Sequence, residues 1–212
     1  MKKKDLIFIF IVILCIALFV VVGNIYHKND KKAQTKTKEE NNIDLLSGKH
    51  YVLMSIKDYG DIKLELDADV APITVTNFIN LVNDKFYDGL TFHRIIEGFM
   101  IQGGGYEQDG SRKETKTIKG EFSQNHINNS ILHKRGVISM ARATDLNSAS
   151  SEFFIMQEDD DRLDGRYAAF GKVISGMDVV DKIAKKAKPT DDNGSIKIEE
   201  RPVIKSIKVV NK

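Results

Sequence analysis

A chain of 212 residues, 42% hydrophobic and 29% charged, is long enough to bury one ordinary core with appendages. Its 32 basic and 30 acidic side chains are well mixed and leave a net charge of +2, which argues against a nucleic-acid binder and its one-sided basic field. The single cysteine, Cys15, excludes a disulfide scaffold and a thiolate metal site.

Lys2, Lys3 and Lys4 precede an 18-residue run without charge, Leu6 to Gly23. Wound as a helix at about 1.5 Å per residue, such a run approaches the thickness of a hydrocarbon core. Residues 1–23 are therefore expected to be a single-pass anchor in the cell membrane, with the following domain on the extracytoplasmic side. Val21 and Gly23 form a weak alternative cleavage site, and cleavage there predicts a secreted protein. Residues 24–49 are lysine-rich, lack a hydrophobic period and read as a solvated tether. The folded domain is expected over residues 50–212.

Within it, Tyr51–Ile56 and Ile62–Leu66 read as strands joined by a turn at Lys57-Asp58-Tyr59-Gly60-Asp61. Pro72 opens a helix in which Val75, Phe78, Ile79 and Val82 fall near helical spacing. Strands return at Thr91–Ile96 and Met100–Gln102, and a polar loop spans Glu107–Lys119. Gly136–Ala141, Phe153–Met156 and Ala168–Val173 are further strand candidates. Met177–Ala187 has the pattern of a second helix, and Val203–Val210 alternates as a closing strand. Many short strands with two helices imply a mainly β fold, a closed antiparallel barrel capped by helices, with the two terminal strands pairing.

The run from Phe92 to Gly105 is the most informative stretch. Arg94 and Ile96 share one face of the strand and Ile95 takes the other. A fixed positive charge beside Phe99 and Met100 suits a ligand that is apolar on one side and accepts hydrogen bonds on the other. His93 falls on the face opposite Arg94 and reads as a packed structural histidine. The glycines Gly103 to Gly105 lack the following helix and lysine of a phosphate loop, so close backbone approach to the pocket explains them better.

Six blocks in order carry a resemblance to a known family. They are Phe92-His93-Arg94-Ile95-Ile96, Gly98-Phe99-Met100, Gln102-Gly103-Gly104, Gly136 to Ala141, Ser151 to Ile155, and Leu163-Asp164-Gly165 followed by Phe170 to Val173. Over roughly residues 50 to 210 the chain resembles the cyclophilin family of peptidyl-prolyl cis/trans isomerases. The resemblance implies an eight-stranded antiparallel barrel with two capping helices, and catalysis by Arg94 without metal, nucleotide or other cofactor. It implies a proline pocket of Phe99, Met100, Phe154 and Leu163, with Gln102, Ala141, Arg142, Ala143, Glu152 and Tyr167 along the bound peptide. Phe153, beside Phe154, is expected to turn into the core.

The implied partners are proline-containing polypeptides, the implied service is the folding of exported proteins, and a monomer is expected. Some positions depart from the family pattern. Glu152 replaces a glutamine and is expected either to orient Arg94 through a salt bridge or to compete with substrate for it. Arg162 stands where many members carry an aromatic residue, Tyr167 replaces a histidine and Arg142 an asparagine. A non-catalytic module that binds proline peptides, with Glu152 neutralising Arg94, is the rival reading.

Overall fold

The computed structural model describes residues 44–212, of which Leu45–Lys212 form one compact unit. The expected anchor and most of the expected tether lie outside the described residues. Among the described residues no helix is long and apolar enough to cross a membrane.

Strands β1 (Lys49–Ile56) and β2 (Gly60–Asp67) form the first hairpin, in register from Lys49 opposite Asp67 to Ile56 opposite Gly60. Their alternation sends Val52, Met54, Ile56, Ile62, Leu64 and Leu66 into the core. Helix α1 (Pro72–Asn83) begins at a proline, as its sequence predicts, and buries Val75, Phe78, Ile79 and Val82. Its preceding residue, Ala71, offers no side-chain cap. The buried carboxylate of Glu121 does so from a distance, accepting the N–H groups of Ile73 (3.0 Å) and Thr74 (2.8 Å) and the Thr74 hydroxyl (2.7 Å).

The remaining strands are β3 (Phe92–Ile96), β4 (Met100–Gly103), β5 (Val137–Met140), β6 (Phe153–Met156), β7 (Ala169–Ser175) and β8 (Ile204–Val210). Helix α2 (Met177–Lys186) lies between β7 and β8. It buries Val179, Val180, Ile183 and Ala184, with Asp178 in its first turn and Lys185 and Lys186 in its last, as the helix dipole favours.

The eight strands form one antiparallel sheet in the order β3-β4-β6-β5-β7-β2-β1-β8. The terminal strands β1 and β8 pair, as expected. The expected full closure does not follow from that pairing, because the ends of the order are β3 and β8. These two are joined just ahead of their first residues, by a bridge between Thr91 and Val203 flanked by hydrogen bonds from Ile204 N–H to the Leu90 carbonyl (2.8 Å), from Phe92 N–H to the Pro202 carbonyl (2.9 Å) and from Gly89 N–H to the Ile204 carbonyl (2.8 Å). The sheet is a curled half-barrel stitched at one point. Beyond that stitch, the outer edge of the short strand β3 is taken by another segment, around Gly194.

One large core fills the curl between sheet and helices, and Phe78, Tyr87, Phe92, Phe153 and Phe170 lie fully buried within it. A second, smaller apolar cluster gathers Met100, Val137, Phe154, Met156 and Ala169. The pleat of β6 divides its residues between the two clusters, Phe153 and Ile155 to the first and Phe154 and Met156 to the second.

Candidate active site

That second cluster is the floor of a cavity of about 330 Å³, lined by Arg94, Phe99, Met100, Gln102, Ala141, Arg142, Phe154, Leu163 and Tyr167. Nine of the eleven residues expected at the site therefore meet in one place. Strand β4 supplies Met100 and Gln102, β6 supplies Phe154, and Leu163 ends a short 3₁₀ turn, Asp161–Leu163. Tyr167 meets Phe154 edge to face, with ring centroids 5.7 Å apart. Arg142 forms the rim, its guanidinium between the rings of Tyr167 (4.9 Å) and Phe122 (5.1 Å).

Arg94 and Gln102 are direct partners across the β3–β4 ladder. The Arg94 guanidinium is fastened at two of its three nitrogens. Nη1 donates to Gln102 Oε1 at 3.1 Å, with the Met100 sulfur 3.7 Å away, and Nε donates to the main-chain carbonyl of Asn193 at 2.7 Å. Among the described residues Nη2 donates to nothing. Burial pulls the guanidinium pKa below its ordinary value, with Tyr167 and Asp191 opposing, yet an arginine keeps its charge throughout the accessible range. A rigid cation with one open edge thus stands over an apolar slot, where a low local dielectric strengthens any hydrogen bond it gives.

Glu152 makes no direct ion pair with Arg94, so the expected salt bridge is corrected to a relay. Its carboxylate accepts from Gln102 Nε2 at 3.1 Å, which turns the Gln102 carbonyl oxygen toward Arg94. His93 Nε2 lies 3.4 Å from the same carboxylate and Arg112 3.7 Å from its other oxygen. The expected role of Gly103 to Gly105, backbone approach to the pocket, changes as well. A Cβ on Gly105 would fall 2.5 Å from the Glu152 side chain, so that glycine makes the seat for the carboxylate. Glu152 and Ala143, the two expected residues absent from the main cavity, line a neighbouring one of about 200 Å³ with Arg112, Ser148 and Ser150.

His93 is packed as expected, against Tyr106 with ring centroids 4.5 Å apart. Burial first, and then the guanidiniums of Arg201, Arg94 and Arg112, lower its pKa to about 4. The imidazole is neutral at pH 7 and leaves Nδ1 buried without a partner.

Three contributors had no sequence signal. Asn193 acts through its carbonyl, which any residue type carries. His133 is buried, stacks on Phe154 (6.0 Å, 17° between planes), and pairs through Nδ1 with Asp164 (2.9 Å) and through Nε2 with Ser139 (3.0 Å). Asp164 follows Leu163, so His133 ties the slot's floor to its wall. Arg112 reaches the second cavity from the polar loop. Arg162 extends into solvent and pairs with Asp160 at 2.7 Å instead of entering the slot.

Residues 51–209 match the family model described as cyclophilin type peptidyl-prolyl cis-trans isomerase/CLD. Among curated relatives, peptidyl-prolyl cis-trans isomerase A of Dickeya dadantii is 42% identical over 160 residues, covering 72% of this chain and 81% of the relative. Peptidyl-prolyl cis-trans isomerase B of Escherichia coli is 42% identical over 134 residues, covering 59% and 79%. A crystal structure of a Cryptosporidium parvum cyclophilin type isomerase superposes with a TM-score of 0.64 at 27% identity, over 78% of this chain and 99% of that one. A second crystal structure of that protein was determined in the presence of the dipeptide Ala-Pro, and superposes with a TM-score of 0.63 at 27% identity, over 76% of this chain and 99% of that one. An apolar slot beneath a fixed cation, on a curled eight-strand sheet with two helices, agrees with these likenesses, and the chain belongs to the cyclophilin-type peptidyl-prolyl cis-trans isomerases.

Proposed function

We propose that the slot of Phe99, Met100, Phe154 and Leu163 grips a prolyl ring while Arg94 Nη2 donates a hydrogen bond to the prolyl nitrogen as the imide bond twists. Planar resonance withholds the nitrogen lone pair and sets a barrier of about 18–20 kcal/mol in an ordinary peptide. Rotation breaks that resonance and returns the lone pair to nitrogen. A donor fixed at that point stabilises the half-rotated state and has little to bind in either planar isomer, the difference that lowers a barrier. Gln102, Ala141, Arg142, Ala143, Glu152 and Tyr167 hold the chain on either side. No proton is transferred overall, and no step calls on a metal or cofactor.

The observation that carries this reading is the two-point hold on Arg94, which leaves Nη2 as its open donor. The test is prolyl exchange in a short peptide, measured without a coupled protease. Arg94→Ala is expected to lower kcat by about a hundredfold or more, the usual cost of losing one transition-state donor, with the fold intact by circular dichroism. Exchange at the wild-type rate in a folded Arg94→Ala protein removes the mechanism.

The proposed substrates are X-Pro segments of unfolded exported proteins, whose folding waits on isomerisation over tens to hundreds of seconds. The extracytoplasmic placement rests on the uncharged run Leu6–Gly23 behind three lysines. Retention of the full chain with salt-washed membranes, lost on deleting residues 1–23, tests the anchor, and digestion of the domain by protease added outside intact cells tests its side.

A further inference from the structure

We propose that the hairpin Pro189–Ile196 is a positioning element for isomerisation, with the main-chain carbonyl of Asn193 as its working atom. The inference rests on the reading of Arg94 as the donor.

The segment lies against the outer edge of β3. Ile95 N–H donates to the Gly194 carbonyl (2.8 Å), Ile196 N–H donates to the His93 carbonyl (3.0 Å), and Ser195 bridges Arg94. The hairpin is shaped from within. Pro189 bridges Ile196, Thr190 N–H donates to the Ser195 carbonyl (2.8 Å), and Asp191 Oδ1 accepts Ser195 N–H (3.0 Å). These contacts deliver the Asn193 carbonyl to Arg94 Nε, 99 positions away in sequence.

The geometry gives this contact a purpose. A guanidinium is planar, so one hydrogen bond leaves it free to swing about that bond, whereas two at different nitrogens fix its plane. Gln102 supplies one and Asn193 the other. Without the second, Nη2 loses its fixed aim while the apolar slot stays intact. Rotation about the imide bond therefore slows and binding of the prolyl ring does not.

Gly194 is where the arrangement can be broken. It adopts φ +84°, and a Cβ there would fall 2.5 Å from Ile96 Cγ1 and 2.7 Å from the Ile95 carbonyl oxygen. The Ile95 carbonyl oxygen, and its carbon at 3.1 Å, are backbone of β3, so Gly194→Ala must lift the hairpin and carry the Asn193 carbonyl off Arg94. Gly110, also left-handed at φ +86° and outside both cavities, is the matched control: a Cβ there meets the movable end of Ile198.

The experiment measures kcat and KM for a proline peptide, together with solvent exchange of the Arg94 Nε–H by 15N NMR. Gly194→Ala is expected to lower kcat about tenfold, or about 1.4 kcal/mol in the barrier, with KM within about twofold and fast exchange at Nε–H. Gly110→Ala is expected to lower the melting temperature and leave kcat and the Nε–H signal as in wild type. Should Gly194→Ala not fold, Asp191→Ala loosens the same hairpin and is expected to reduce kcat severalfold with faster Nε–H exchange. Wild-type kcat in the folded hairpin variants, or a KM rise that accounts for the whole loss, overturns the inference. If Arg94→Ala is inactive in that case, the donor reading stands and the hairpin's role alone is refuted. Full activity in Arg94→Ala instead refutes both.

Discussion

Lowering the pH should weaken this fold through His93 in particular. In the unfolded chain its imidazole titrates near 6.5, whereas in the folded protein the pKa is about 4. Between those values the unfolded state takes up a proton that the folded state refuses, so stability falls as pH drops below about 6.5 and levels off near 4. At about 1.4 kcal/mol for each tenfold difference in affinity, the loss comes to about 3 kcal/mol, a large share of a typical domain's stability. The side chain is only 14% exposed, so solvent screens little of it. Urea unfolding at pH 7 and pH 4, on wild type and His93→Gln, isolates the effect, because every other titrating group is common to both. The wild type is expected to lose about 3 kcal/mol more than the variant across that interval. Parallel losses in the two proteins would refute the argument, since the imidazole would then be equally basic folded and unfolded.

Two further outcomes are expected. Glu152→Gln still offers Gln102 an acceptor, whereas Glu152→Lys turns the Gln102 amide and sets its N–H groups against Arg94. The lysine variant should therefore show about tenfold lower kcat than the glutamine variant in the same exchange assay, and equal rates would refute the relay. Glu121→Ala strands the N–H groups of Ile73 and Thr74 at the start of α1, and is expected to cost about 2–4 kcal/mol by urea unfolding. A loss under about 0.5 kcal/mol would show that the helix terminus finds other partners.

Local pattern made some of this architecture legible. Strands β1 and β2 alternate cleanly, and α2 sets four apolar residues among lysines, because each has one wet face and one dry face. Strands β5 and β6 show no alternation, being buried on both faces, and only their length and bounding residues mark them. Phe99, Met100, Phe154 and Leu163 look like core residues one at a time. Their assembly into a slot follows from the pleat of β6, which turns Phe154 away from Phe153. The order of the family blocks made that readable.

What stayed hidden acts over long sequence separation through groups without a compositional mark. Glu121 reaches α1 from 47 positions away, and a main-chain carbonyl at Asn193 leaves no trace in residue type. Full closure of the barrel is not legible for a related reason. The pairing of β1 with β8 was legible, but whether β8 then meets β3 depends on which segment occupies the edge of β3. That contest is decided by backbone geometry at Gly194.

The occupied edge of β3 has one more consequence. X-Pro segments arrive extended, and a bare strand beside the slot would invite them to add to the sheet through backbone hydrogen bonds, the route by which unprotected edges recruit other chains. Ile95 N–H and the His93 carbonyl are already spent on the hairpin, so a visiting polypeptide finds no ladder there to extend. On the proposed reading it is held by a ring in a slot and a few rim contacts, a grip loose enough to release each visitor once its bond has turned.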